Sequence, residues 1–263
     1  MLATALDLKW QVTAAQKCGR RHAKCEDAYS VAQPSPGVLV IVVADGAGSA
    51  EFAEAGAKTA AAAGSANVCA GLERAGDELD DEAIRNIFAE AMGAALAAVQ
   101  AEAERCEVDC SELASTLILL LAHSEFVAAA QIGDGATVIA DEAGHVLGLT
   151  VPPQGEYINE TIFLTSKEAL ESVQFNVWRG RAARVAAFSD GLQMLCLKWP
   201  EYEPHAAFFT PLFKFAGNRT DEEQAAAELA AFIDSERVSE QTDDDVTLVL
   251  AVLRNEDHDN LES

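Results

Sequence analysis

Hydrophobic positions along the chain fall into two kinds of run. Residues 37–44 (GVLVIVVA) form a short, continuous apolar stretch rich in Val and Ile, which predicts a buried strand. The Ala-rich residues 52–70 predict a helix. Asp80, Asp81 and Glu82 then place negative charge where the next helix has its positive end. Ile84, Ile87, Phe88, Ala91, Met92, Ala95 and Val99 follow at three- and four-residue steps, giving that helix one apolar face. From Ala114 the period changes. Runs at 114–122, 126–132, 136–140 and 146–150 are separated by His-Ser-Glu, Gly-Asp-Gly and Asp-Glu-Ala-Gly. Connections this short predict an antiparallel meander, because a parallel crossover needs about a dozen residues or more.

Beyond Pro152-Pro153 the pattern predicts a strand at 161–164, and Thr165 with Glu168 has capping-box spacing for a short helix. A strand at 182–188 and a helix opening at 192–197 follow. Thr220 and Glu223 repeat the capping-box spacing before a helix reaching about Arg237, and 246–253 (VTLVLAVL) is the last strand. The sequence shows no repeat, low-complexity linker or composition break. Residues 1–254 therefore read as one domain, with 255–263 as an acidic, frayed tail.

With 263 residues, half of them hydrophobic, the chain can bury a core without staples. The 43 acidic and 18 basic side chains leave a formal charge of -25. That balance argues against nucleic acid and anionic membrane surfaces as partners and favours cations. Residues 1–10 lack a basic segment followed by an apolar one, and the apolar stretches are too short to span a bilayer, so the expected location is cytoplasmic. Six dispersed cysteines read as reduced thiols. Cys106 and Cys110 lack a second pair to complete a zinc site, and the five histidines show no ligand spacing.

Acidic residues at strand ends change the picture. Asp45-Gly46, Asp134-Gly135 and Asp190-Gly191 each follow an apolar run, and Asp243-Asp244-Asp245 precedes the last one. Any one of these is a turn signal. Together, on one rim of a sheet or sandwich, they would repel one another and raise each other's pKa unless a cation lay between them. Oxygen ligands without His or Cys suit Mg²⁺ or Mn²⁺, and the Gly46 carbonyl can approach closely enough to join them. Competing motifs fail on the residues present. Gly46-Ala47-Gly48 has Glu51 at the third glycine position of a dinucleotide loop, and no Walker motif exists. Ser189 lacks the Gly-x-Ser-x-Gly elbow.

Six fragments, in order, resemble the metal-dependent serine/threonine protein phosphatases of type 2C. They are Cys25-Glu26-Asp27-Ala28, Val43-Ala44-Asp45-Gly46-Ala47-Gly48, Ala114-Ser115-Thr116-Leu117, Ile132-Gly133-Asp134-Gly135, Phe188-Ser189-Asp190-Gly191-Leu192 and Asp244-Asp245-Val246-Thr247. The stretches Asp45-Gly-Ala-Gly-Ser49 and Gly155-Glu-Tyr-Ile-Asn-Glu-Thr161 are most similar to a compact bacterial branch. The resemblance implies an α+β fold, a central sandwich of two antiparallel β-sheets flanked by helices on both outer faces. It implies a two-metal site for Mn²⁺ or Mg²⁺ at one end. In that site Asp45 bridges both ions, the Gly46 carbonyl joins one, and Asp190 and Asp244 complete the other. Glu26 and Asp27 hold metal-bound waters, and Asp134 pairs with Asp190 at a weaker third metal. Asp245 supports the site from behind, and Asp243 is a solvated neighbour. The implied reaction is hydrolysis of phosphoserine and phosphothreonine by activated water, on a phosphorylated protein, with a partner kinase as the family-level expectation.

Two departures qualify this picture. The family's phosphate-gripping arginine falls on His22, which is cationic only below its pKa, near 6.5 when unperturbed. KM rising with pH is the signature of that role, with Arg20, Arg21 or Lys24 as substitute cations and a structural hydrogen bond as the alternative. Ala47 stands where many members carry a proton-donating histidine, which disfavours poor leaving groups. These departures keep open a second class of function, a phosphatase-fold binding or sensor module with little turnover. Residues 155–180 fall where the family places a flap. Within them Trp178 and Arg179, with Arg181 just beyond, form a basic-aromatic cluster that reads more simply as a solvated loop with one buried Trp.

Overall fold

The computed structural model describes residues 8–20, 22–76, 79–153, 161–219 and 221–255. Strands β1 (Leu8–Lys17), β2 (Ala28–Ser35) and β3 (Val38–Ala44) lead into helices α1 (Ala53–Ala75) and α2 (Asp81–Cys106). Then come β4 (Leu117–Ala122), β5 (Phe126–Ile132), β6 (Ala136–Asp141), β7 (Val146–Thr150), β8 (Gln174–Arg179) and β9 (Ala182–Phe188). The chain closes with α3 (Gln193–Cys196), β10 (Leu197–Lys198), β11 (Glu203–Pro204), α4 (Ala206–Gly217), α5 (Glu222–Ile233), α6 (Glu236–Ser239) and β12 (Val246–Asn255). One antiparallel sheet has the order β1-β12-β9-β6-β7 and the other β2-β3-β4-β5-β8; β10 and β11 form a separate ribbon.

The period of two along each strand builds three apolar layers. In β3, Val38, Val40 and Val42 pack with Ala57, Val68, Phe88 and Met92 of α1 and α2. Leu39, Ile41 and Val43 point the other way, onto Val185, Ala187 and Val249 of the facing sheet. In β12, Leu248, Leu250 and Val252 pack beneath Phe209, Phe213 and Leu229 of α4 and α5. The layers run helix, sheet, sheet, helix, as the resemblance implies. Helix α2 starts at Asp80, whose side chain accepts a hydrogen bond from the Ala83 amide at 2.8 Å. Asp80→Ala should lower stability by about 1 kcal/mol in urea denaturation, with phosphate release per folded molecule unchanged.

Several expectations are corrected. The β4–β5 and β6–β7 connections are hairpins, but β5 and β6 belong to different sheets and β6 pairs with β9. Gly133-Asp134-Gly135 is therefore a crossing between sheets, not a turn of a meander. The crossing depends on Gly133, at φ +100°, where an added Cβ would stand 2.4 Å from the Thr116 methyl. Residues 161–164 form no strand. Leu164 drops into the layer under α1 and α2, and its amide donates to the Ser115 carbonyl, so the apolar residues anchor a turn. The short 3₁₀ turn that follows, Ala169–Glu171, begins after Glu168 without a side-chain cap. Thr220 lies outside the described residues; Asp221 caps α5 by accepting from the Gln224 amide, and the helix ends at Ile233. Residues 256–263 of the acidic tail also lie outside the described residues.

Candidate active site

Antiparallel register gathers the acidic residues. Ala28 pairs with Ala44, so the next position outward on that rim brings Asp27 beside Asp45. Ala136 pairs with Phe188, so two positions beyond them lie Asp134 and Asp190. Glu26 precedes β2 at the same end, and Asp244 and Asp245 precede β12. Both sheets thus contribute carboxylates to one rim.

Their electrostatics are those of crowded, dehydrated acids. Burial pushes the Asp45 carboxyl well above its ordinary value, and the charges of Asp27, Asp190 and Asp134 push it further. Burial, then Asp134, raises Asp190 to about 7. Burial raises Asp27 to about 6, although the hydrogen bond from Ser189 opposes the rise. Glu26 is raised by burial, with His22 opposing. Among the described residues no Lys or Arg forms an ion pair with Asp27, Asp45, Asp134 or Asp190. Among the described residues, the buried oxygens Asp27 Oδ1, Asp190 Oδ1 and Glu26 Oε2 have no hydrogen-bond partner. Unpartnered buried carboxylate oxygens, without thiol or amine ligands, fit a hard divalent cation.

Neighbouring polar groups fix the acids. The Asp45 amide donates to Thr116 Oγ1 at 3.0 Å, and the Thr116 amide donates to the Asp45 carbonyl at 2.7 Å. Gly46 bridges to Ser115. Ser189 Oγ donates to Asp27 Oδ2 at 2.8 Å and accepts from the Thr247 amide at 2.9 Å, so it is a clasp between the sheets and not a nucleophile. Asp245, 2% exposed, accepts from the amides of Gly19 and Glu26 at 2.6 and 2.5 Å, which closes the loop carrying His22. Thr161 Oγ1 donates to Asp134 Oδ2 at 2.7 Å. Asp244 is half-exposed at the edge, and Asp243 is exposed. A methyl on Gly191 would lie 2.1 Å from the Asp245 carbonyl, so glycine there allows β9 and β12 to meet at the rim.

His22 is enclosed by acids: Nδ1 lies 3.1 Å from Asp245 Oδ2 and 3.8 Å from Glu26 Oε2, and Nε2 lies 4.0 Å from Asp244 Oδ1. Burial works to lower its pKa, but contact with Asp245 and the charges of Asp245, Glu26 and Asp244 raise it overall. The substitute cations are less well placed: Lys24 pairs with Glu54, Arg20 is exposed, and Arg21 lies outside the described residues. Ala47 is buried among Ala50, Ala53, Ala114 and Phe163. Ala47→His should therefore cost about 1–3 kcal/mol through overpacking and give no gain on an alkyl phosphate. Thermal melts and rates on phosphothreonine peptide check this.

The flap expectation is partly corrected. Residues 154–160 lie outside the described residues, and Gln174–Arg179 is edge strand β8, not a flap. Arg179 lies opposite Phe126, at the far end of β5 from Asp134, and pairs with Asp81; Arg181 pairs with Glu142, and Trp178 packs between the sheets.

The family model for protein phosphatase 2C matches residues 16–234. The chain belongs to the protein phosphatase 2C family. It is 34% identical over 260 residues to serine/threonine-protein phosphatase 3 of Escherichia coli (strain K12), covering 93% of this chain and 99% of that one. The solved serine/threonine phosphatase of Staphylococcus aureus superposes with a TM-score of 0.60 at 15% identity, over 95% of this chain and 96% of that one. The serine/threonine phosphatase of S. agalactiae superposes at 0.62 and 12%, over 93% and 99%. These two likenesses show the fold, and the sequence matches show that this phosphatase is an enzyme of the family. Among its described residues, no helix is long and apolar enough to cross a membrane.

Proposed function

We propose that this chain releases phosphate from phosphoserine and phosphothreonine in cytoplasmic proteins, with residues 1–254 acting as one domain around a divalent-metal carboxylate site. The observation that carries this reading is the set of four acids, Asp27, Asp45, Asp134 and Asp190, crowded on one rim without a Lys or Arg partner among the described residues. Asp45, the Gly46 carbonyl, Asp190 and Asp244 would hold two Mn²⁺ or Mg²⁺ ions. Glu26 and Asp27 would accept hydrogen bonds from water there, and Asp134 with Asp190 would hold a third ion. When bound, such ions supply Lewis-acid activation of water and neutralise phosphoryl charge.

The side chains do the rest. Thr116 and Ser189 hold Asp45 and Asp27 at fixed positions, so the acids need no reorganisation during reaction. Asp245 and Glu26 favour the cationic form of His22, and its Nε2 lies toward the Gly48 backbone, where the protonated ring would offer positive charge to a phosphate. Ser189 Oγ is already committed, Cys196 is buried, and burial with the neighbouring acids raises the Cys18 and Cys25 thiols above their ordinary value, so this reading assigns water as the nucleophile. A charge of -25 favours phosphoproteins with basic surroundings, a partner kinase among them, over nucleic acids or anionic membranes.

The test is Mn²⁺-dependent phosphate release from p-nitrophenyl phosphate and a phosphothreonine peptide, beside Asp190→Asn. Release that needs metal and disappears in the variant supports the reading. Mn²⁺ binding without turnover would move the chain to the binding-module class. An absence of Mn²⁺ binding would reduce the acids to turn residues.

A further inference from the structure

We propose that Gln131 is a positioning residue for the reaction: from inside the sandwich it sets the loop carrying Asp134 against Asp190. The proposal rests on the metal-phosphatase reading above. Gln131 is 2% exposed, in a strand that is otherwise apolar (FVAAAQI), and its strand partner Ile118 faces the layer between the sheets. Its amide nitrogen donates to the carbonyls of Gly133 at 3.1 Å and Gly135 at 2.7 Å, the residues on either side of Asp134. Its carbonyl oxygen accepts from Thr150 Oγ1 at 2.6 Å. Thr150 and Thr137 share a hydroxyl contact of 2.7 Å, and the Thr150 amide donates to Thr137 Oγ1 at 3.0 Å. Thr137 and Thr150 are also buried.

A buried polar network of this kind is costly unless every member is satisfied, and here the members satisfy one another. Its placement gives it a task. Asp134 sits on the crossing between sheets and Asp190 at the end of β9. The β6–β9 ladder ends at the Ala136–Phe188 pair, so beyond it their separation depends on how β5, which feeds the crossing, aligns with the facing sheet. Apolar packing is non-directional and holds that alignment loosely. The hydrogen bonds from β7 through Thr150 and Gln131 to the two glycine carbonyls are directional. Gln193, at the start of α3 just beyond β9, donates to the Asp134 carbonyl at 2.6 Å and completes the frame.

Gln131→Leu keeps the volume and removes the donors; Thr150→Val and Thr150→Ser separate loss of the hydroxyl from loss of shape. Mn²⁺ binding is measured by calorimetry, and kcat and KM on a phosphothreonine peptide are normalised to the folded fraction from near-UV circular dichroism. Gln131→Leu should lower kcat and weaken the weakest Mn²⁺ association, each by about tenfold, with KM within about twofold. Thr150→Val should move both in the same direction by less, and Thr150→Ser should stay at the wild-type values. Unchanged kcat and Mn²⁺ binding in both Gln131→Leu and Thr150→Val would overturn the proposal, as would losses that vanish on normalisation or a Thr150→Ser protein that behaves like Thr150→Val. A wild-type protein that binds Mn²⁺ without releasing phosphate would instead refute the functional reading, while the Mn²⁺ titrations would still decide the role of Gln131.

Discussion

Asp45→Asn should abolish Mn²⁺-dependent phosphate release while raising the melting temperature of the metal-free protein. The two effects have one cause. Burial, and then the charges of Asp27, Asp190 and Asp134, raise the Asp45 pKa well above its ordinary value, so ionising it in the metal-free protein is unfavourable. Asparagine keeps the shape, removes that charge, and relieves Asp27 and Asp190 as well. Replacing an uncompensated buried charge with a neutral group of equal size is commonly stabilising. The same charge is what a pair of cations would need. Losing it removes several kcal/mol of transition-state stabilisation, or at least about 10³-fold in rate.

Opposite signs make this prediction hard to satisfy by accident. A structural acid would lose stability on substitution and carry its activity down with it. An acid kept for metal should lose activity and gain stability in EDTA, and the Mn²⁺-induced rise in melting temperature should shrink to near zero. Steady-state rates with a phosphothreonine peptide and parallel melts in EDTA and Mn²⁺ read all three. Activity within tenfold of wild type would remove Asp45 from the mechanism.

How legible each part was in the sequence follows from how local its cause is. Strands β3, β4, β5 and β9 read as apolar runs because they are buried by packing on both faces. Strands β1 and β2 did not, since Lys9, Gln11, Ser30 and Gln33 lie on partly solvated faces and interrupt any continuous apolar run. The acids were visible because each ends or begins a run, and antiparallel pairing alone carries them to a common rim. The groups that hold them were not. Ser189 and Asp27 lie 162 residues apart, and Asp245 reaches back across 219 residues to Glu26. The connection around Asp134, though not its place among the acids, reads as a meander turn because Gly-Asp-Gly serves a turn and a crossing between sheets equally well. Only the partner of β6 distinguishes them. Gln131 left one local trace, a single amide in an otherwise apolar strand.

The metal-free protein should melt at a lower temperature as pH rises from 5 to 8, opposite to the usual behaviour of surface carboxylates. An Asp in the unfolded chain titrates near 3.9, whereas in the folded state Asp27 is held at about 6 and Asp190 at about 7, with Asp45 also raised. Between those limits the folded state binds more protons than the unfolded state, so stability falls as pH increases. The loss begins above the unfolded value and is complete for Asp27 and Asp190 once pH passes their folded values. The cluster contributes on the order of 3 kcal/mol, or roughly 6–12 °C for a chain of this size. Cations that bind the ionised acids act in the opposite direction, because they bind only the folded state and must displace protons to do so. The Mn²⁺-induced rise in melting temperature should therefore be small at pH 5 and large at pH 8. Scans in EDTA and in Mn²⁺ across that range measure both slopes. A melting temperature in EDTA that climbs with pH would mean the rim acids are hydrated and unstrained, and the physical argument for a cation at that rim would fail with them.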